Sequence, residues 1–401
     1  MRSSGVAVAT AFVVNGTLYG SWAARVPALA DQVGADVEGV GLALLGPAVA
    51  MILTAGPAAR ACARWGARPV LAVCLAGACL LLPLLGLTGS AWALGLALAA
   101  LGGLMGAVDV SMNIAAVAVI RELNRPLMPV FHAGFSFGGL AGSAGAAGAA
   151  ALALAPAAQF TVVGVAALAA LATTARAIPA QATERAEPAG SARRSPAGYR
   201  QVLSRGRLWL LAAVALCAAV AEGACAEWSA LFLTNERAVG EAAAAAGYSV
   251  FAVAIAVTRL TGEWAQRRFG PYRLLVMSGG LAAAGVLLAA AVPSGVAGYI
   301  GFGLAGAGLA FCFPLAMDLA GAAGREPGGT GGDRELGFVT TVAYAGLLGG
   351  PPMIGAVAAL GGLAVAMGLV GAIALLIVPA ALASRPKPAG RPAVLAAVER
   401  S

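Results

Sequence analysis

Charge is what this sequence has least of. Only 10% of its 401 residues are charged, where a soluble domain carries about a quarter. With 60% hydrophobic residues and a mean hydropathy of +0.88, a water-soluble fold is excluded, because a globule of this size has too little interior to hide that apolar surface. Histidine and lysine are almost missing: His132 and Lys387 stand alone. One histidine cannot build a two-histidine metal site and there is no HExxH, so an intramembrane metalloenzyme is excluded. The glycine-rich loop from Gly328 to Asp333 has no lysine to complete a phosphate cradle, and no nucleotide-binding domain is legible. No cofactor and no metal are expected. The six cysteines (Cys62, Cys74, Cys79, Cys217, Cys225 and Cys312) contain no CxxC pair and read as small core residues. The basic residues are scattered through short loops, not gathered on a soluble face, which argues against a nucleic-acid partner.

What is present is a series of long apolar stretches. A bilayer core of about 30 Å takes roughly 20 apolar residues per helix, and with no water to satisfy the backbone only helices or closed barrels span it. The runs are unbroken, without the alternation of about ten residues that marks a barrel strand. Twelve spans are predicted: 5–27, 38–59, 69–88, 91–119, 128–155, 158–178, 207–233, 244–266, 271–292, 295–320, 335–359 and 361–383. The first is expected to be an uncleaved helix. With both termini on the cytoplasmic side, every basic residue except Arg25, Arg237 and Arg259 falls inside, as the positive-inside rule requires. The expected location is a bacterial plasma membrane, with lipid as surroundings.

The polar stretch 179–206 has no apolar period and divides the chain into halves, residues 1–178 and 207–383, followed by a tail at 384–401. The halves echo each other. Gly41 and Gly56 bracket the second span as Gly247 and Gly262 bracket the eighth. Trp65-Gly66 is matched by Phe269-Gly270, and Gly103-Leu-Met-Gly-Ala107 by Gly303-Leu-Ala-Gly-Ala307. Asn15-Gly16 before Trp22 is matched by Glu222-Gly223 before Trp228. Glycine-rich helices make single matches cheap, but offsets of 200 to 207 throughout point to a parallel duplication. The fold class expected is all-α integral membrane, two six-helix bundles related by a pseudo-twofold axis, with a solute site between them near mid-membrane.

Four segments carry a resemblance over essentially the whole chain: Asp109-Val-Ser-Met-Asn113, Phe131-His132-Ala-Gly-Phe-Ser136-Phe-Gly138, Glu222-Gly223 through Glu227-Trp228-Ser229, and Gly349-Gly-Pro-Pro352. In these the sequence resembles the major facilitator superfamily, and within it the branch of fucose permease and the YbjJ-type inner-membrane proteins. The family's loop signature after the second span is degraded, with Ala63 at its acidic position while Arg64, Gly66 and Arg68 remain. The Gly-Pro signature of drug–proton antiporters is missing, since 134–148 contains no proline.

Ionisable side chains inside apolar spans cost at least about 2.5 kcal/mol on insertion scales, so each is a functional candidate. Glu222 lies mid-way along the seventh span and is expected in the cavity, with Asn15 as its counterpart in the other half. Glu227, five residues on, is turned by about 140° and cannot face the same small site. Asp109 and Asn113 share a face of the fourth span, and His132 opens the fifth at a similar depth. Carboxylates and histidine are the groups able to take up a coupling proton, so Asp109, His132, Glu222 and Glu227 are the proton-coupling candidates. Tyr19, Trp22 and Trp228 suit a cavity wall for a sugar-like solute, and interface anchoring accounts for tryptophans near span ends equally well. Arg25 is expected to meet Asp31, Asp36 or Glu38 as a gate or snorkelling contact. Arg259 and Glu263, four apart, are expected to pair as a gate. Gly134, Gly138 and Gly142 have small-residue helix-packing spacing, as do Gly346 and Gly350. Gly301-x-Gly303-x-x-Gly306 lies within an apolar helix and lacks the strand that a dinucleotide site needs.

The expected function is secondary active transport of a small polar or sugar-like solute by alternating access, coupled to protons. Drug or metabolite efflux by proton antiport and a non-transporting membrane receptor or scaffold are the rival readings.

Overall fold

The structure is a computed structural model and describes residues 3–123, 127–179, 201–325 and 332–386. The central part of the 179–206 linker, most of the 384–401 tail and most of the Gly328 to Asp333 loop lie outside the described residues. Fifteen α-helices lie wholly within the described residues, in order: α1 Ser3–Ala23, α2 Val26–Val33, α3 Val37–Trp65, α4 Ala67–Leu85, α5 Ala91–Leu123, α6 Met128–Ala151, α7 Pro156–Thr174, α8 Gly206–Arg237, α9 Glu241–Leu260, α10 Gly262–Phe269, α11 Pro271–Ala291, α12 Gly295–Arg325, α13 Asp333–Gly361, α14 Leu363–Leu375 and α15 Ile377–Ala383. There is no strand among the described residues.

Among the described residues, eleven spans are long and apolar enough to cross a membrane, the last of them α14 and α15 together. The sequence leads to twelve. The missing one is α6, 24 residues long but diluted by glycine and serine. It packs against α1 on one side and α9 on the other, and a helix walled by protein needs less apolar surface than one facing lipid.

Three predicted spans are interrupted. The first breaks at Ala24–Arg25, where Pro27 starts the short α2, and Gly34, left-handed at φ 62°, ends it. Asp36 then caps α3, accepting from the Gly39 backbone N–H at 2.8 Å. The eighth breaks at Thr261, separating α9 from α10. The last breaks at Leu376, where Pro379 removes the helical donor to the Leu375 carbonyl.

The echoes between the halves are structural. Gly66 (φ 89°, ψ 159°) and Gly270 (φ 73°, ψ 158°) make the same turn after α3 and α10, in a region that side chains avoid. Within the first half α3 packs on α5 and α1 on α6; in the second, α9 packs on α12 and α8 on α13. The halves meet through α3 with α13 and α6 with α9, the two exchanged versions of one contact.

Small residues set how closely these helices approach. A Cβ on Gly16 would lie 2.0 Å from the Phe135 carbonyl oxygen, and one on Gly138 would lie 2.0 Å from that of Val13. At the contact between halves, a Cβ on Gly41 would be 2.9 Å from Gly355 Cα. The six cysteines are free, five of them buried and Cys74 half-buried, as small core residues should be.

Candidate functional site

Two features close one end of the molecule, the end that carries Ala23, Val37, Ala151, Arg237 and Gly361. The start of α3 meets the end of α13 at Gly41 and Gly355. The C-terminal part of α6 meets the first half of α9, where the Ser143 and Ser249 hydroxyls are 2.6 Å apart. Arg25, in the turn after α1, adds a link: its Nη2 donates to the Leu154 carbonyl at 2.8 Å and its Nε lies 3.2 Å from Glu241 Oε1 of α9. The expected partners Asp31, Asp36 and Glu38 are not used. Asp36 is committed to capping α3, and the intervening α2 carries the loop away from Arg25.

Behind this closure lies a cavity of about 360 Å³ between the halves. Tyr19 of α1 and Phe135 and Ser136 of α6 form one wall. Glu222 of α8, Tyr248 and Arg259 of α9, Phe313 of α12 and Tyr344 of α13 form much of the other. Tyr19 and Tyr248 have ring centroids 6.1 Å apart across the boundary between halves. Arg259 Nη2 donates to Glu222 Oε1 at 3.4 Å, and its Nε donates to the Ala310 carbonyl at 3.3 Å. About a third of each charged side chain remains accessible, 35% for Glu222 and 37% for Arg259, so the pair is open to a solute.

The predicted Arg259–Glu263 pair does not form. The helix break at Thr261 interrupts the four-residue register, and Glu263 pairs with Arg267 on α10 instead, both well exposed.

Other candidates are dispersed. Asn15 is buried, its amide donating to Met112 Sδ at 3.8 Å, so it sits in the contact of α1 with α5 and not on the cavity wall. Trp22 and Trp228 are buried as well; Trp22 packs edge-on to Tyr19 at 5.3 Å and reaches the cavity only through it. Asp109 accepts from Asn113 within α5 at 3.3 Å and makes no pair with His132. Asp109 and His132 are both exposed, and neither is part of the cavity lining. His132 stands edge-on to Phe12 at 5.3 Å. Glu227 is turned away from Glu222 as its spacing requires, into the contact of α8 with α13.

Sequence reading missed Glu241, Phe135, Ser136, Tyr248, Phe313 and Tyr344. Tyr344 carried a signal, a phenol placed mid-span, and Phe135 and Ser136 lie in the Phe131–Gly138 segment that carries the family resemblance; the others look like ordinary span or loop residues until the halves are docked.

A family model for the Major Facilitator Superfamily matches residues 7–332. The chain belongs to the Major Facilitator Superfamily. An MFS-type transporter of Yersinia pestis is 31% identical over 383 residues, covering 96% of this chain and 95% of that protein. A transporter of Sinorhizobium fredii is 29% identical, covering 92% and 95%. Membrane protein MosC of Rhizobium meliloti is 32% identical over 39% of this chain and 38% of its own length. Among solved structures, the nucleoside transporter NupG (a D323A mutant) superposes with a TM-score of 0.78 at 13% identity, covering 95% of this chain and 100% of that one. A bacterial homologue of the human lysosomal transporter Spinster, in an inward-facing and occupied conformation, superposes with a TM-score of 0.74 at 13% identity, covering 96% and 98%. These structures share the fold. An MFS protein with this cavity works in membrane transport, not catalysis.

Proposed function

We propose that the chain is a secondary active transporter of a small polar solute, sugar-like in size, moved by alternating access and driven by protons. The observation that carries this reading is the accessible Glu222–Arg259 pair in a cavity of about 360 Å³ walled by Tyr19, Tyr248 and Tyr344. That volume is at the small end of ligand sites. Phenol faces stack on sugar rings and phenol hydroxyls hydrogen-bond to them, while the charged pair offers an acceptor and a donor side by side. A solute wedged into the pair trades one weak contact for two charge-assisted hydrogen bonds.

The arginine distribution supports a cytoplasmic location for both termini. In that orientation the closed end is external and the cavity is reached from inside. The closed-end contacts are those that must separate for the site to face outward, and their two-fold repetition suits a rocking motion of one half on the other.

The test is uptake of labelled monosaccharides, polyols and nucleosides into vesicles containing the purified protein, with an imposed pH gradient. Gradient-driven accumulation of one class is expected. Glu222→Gln and Arg259→Lys should reduce it at least about tenfold, the scale of losing one charge-assisted hydrogen bond, with insertion intact; lysine cannot hold the Ala310 carbonyl and Glu222 together as the guanidinium does. No flux of any of these solutes, or uptake untouched by both substitutions, overturns the reading; a flux of hydrophobic cations alone replaces it with drug export.

A further inference from the structure

Next to the main cavity is a second, far smaller void of about 10 Å³, room for roughly one water. Glu227 and Trp228 of α8 face Gly346, Leu347, Gly350 and Pro351 of α13 around it. Ala219, Gly223 and Leu347 line both spaces, so an alanine, a glycine and one leucine side chain separate the void from the solute cavity.

Glu227 is 8% exposed, and its Oε2 has no hydrogen-bond partner. The surroundings favour a protonated carboxyl. Pro351 has no N–H, so the Leu347 carbonyl on the wall of the void lacks its helical donor and is an acceptor awaiting an O–H. The indole N–H of Trp228, also unpartnered, is the neutral donor at hand, and one neutral donor does not compensate a buried carboxylate charge.

Among the described residues, no counter-charge from the neighbouring helices lines the void. On α13, α14 and α15 nothing titratable faces the void. No residue of α9 or α12 lines the void, and Tyr248 of α9 lines the solute cavity with Glu222 instead; the short α2 offers only Asp31 at its exposed end. Tyr19 of α1 is a phenol, which carries no charge at neutral pH.

We propose that Glu227 is the proton-carrying group of this protein, a site distinct from the Glu222–Arg259 solute site and governed by the packing of α13; the inference rests on the transport reading above. While α3 and α13 are locked at Gly41 and Gly355, Glu227 is sealed and holds its proton as a carboxyl O–H. When α13 leaves α3, water enters from that end, the O–H bond breaks and the proton passes to water. Uptake reverses the step, and no other reactant is needed.

Infrared spectroscopy of the full chain in vesicles tests this without a known solute. At neutral pH the expected signal is the C=O stretch of a protonated carboxyl, shifted in D₂O, retained in Glu222→Gln and lost in Glu227→Gln, which is isosteric and keeps the packing. Gly41→Leu, which forces α3 from α13, should lower the midpoint of that band's titration by about one pH unit or more, because hydration favours the ionised form. A band unaffected by Glu227→Gln, or a midpoint unmoved by Gly41→Leu, overturns the proposal while leaving transport standing. A Glu227 band in a protein that carries no solute refutes transport instead, and with it the proton's role.

Discussion

Arg25 Nε and Glu241 Oε1 lie 3.2 Å apart and belong to opposite halves of the molecule. Arg25 is sealed, with 2% of its side chain exposed, whereas Glu241 keeps 38% in solvent. The contact has the distance of an ion pair without the alignment of a hydrogen bond, since neither atom has a hydrogen-bond partner. The stronger tie of Arg25 is therefore to the Leu154 carbonyl within its own half.

Glu241→Gln should accordingly loosen the closed end only slightly. A partly exposed pair is worth about 0.5 kcal/mol after solvent screening, roughly a twofold shift in the population open at that end. Labelling of a cysteine placed at Ser249 by an impermeant thiol reagent should speed up about twofold in the Glu241→Gln background. An unchanged rate would show that Arg25 and Glu241 play no part in closure.

The approach of α1 to α6 makes a sharper prediction. At Gly138 a Cβ would meet backbone, which cannot swing aside, whereas at Gly145 on the same helix it would meet nothing within 4 Å. Gly138→Ala should cost about 1–3 kcal/mol or more by overpacking, seen as a lowered Tm in detergent or as loss of folded protein. Gly145→Ala should leave Tm unchanged. Equal Tm values for the two variants would mean that α1 and α6 are not in this contact.

Glu263 supplies a negative prediction. Its partner Arg267 is one turn along the same short helix and both are largely exposed, a pair worth at most about 0.5 kcal/mol. Glu263→Ala should therefore leave vesicle uptake within about twofold of the unsubstituted protein. A loss approaching that of Arg259→Lys would restore Glu263 to the gate.

Much of the architecture was legible in the chain because hydrophobic length and period are local quantities. Each predicted span has its helix, and Trp65-Gly66 and Phe269-Gly270 announced the same turn twice. The site was legible only in part. Glu222 and Arg259 stood out as charges amid apolar residues, but Arg259 was matched with Glu263 because a continuous helix brings i and i+4 together, and the break at Thr261 cancels that rule. Arg25 was matched with the acids nearest in sequence, while its partner lies beyond the linker.

Composition and spacing by themselves settled that this chain lives in a bilayer as two repeated sets of helices, since no other environment tolerates so little charge. They also settled that Glu222 and Glu227 look in different directions, a consequence of helical pitch. Only the tertiary structure decided which charges meet: Arg259 with Glu222, Arg25 with Glu241, and Glu227 with no charged partner. The physical reason is that pairing across helices depends on how the two halves dock. Docking is governed by small residues such as Gly41 and Gly355, whose sequence neighbourhoods carry no record of each other.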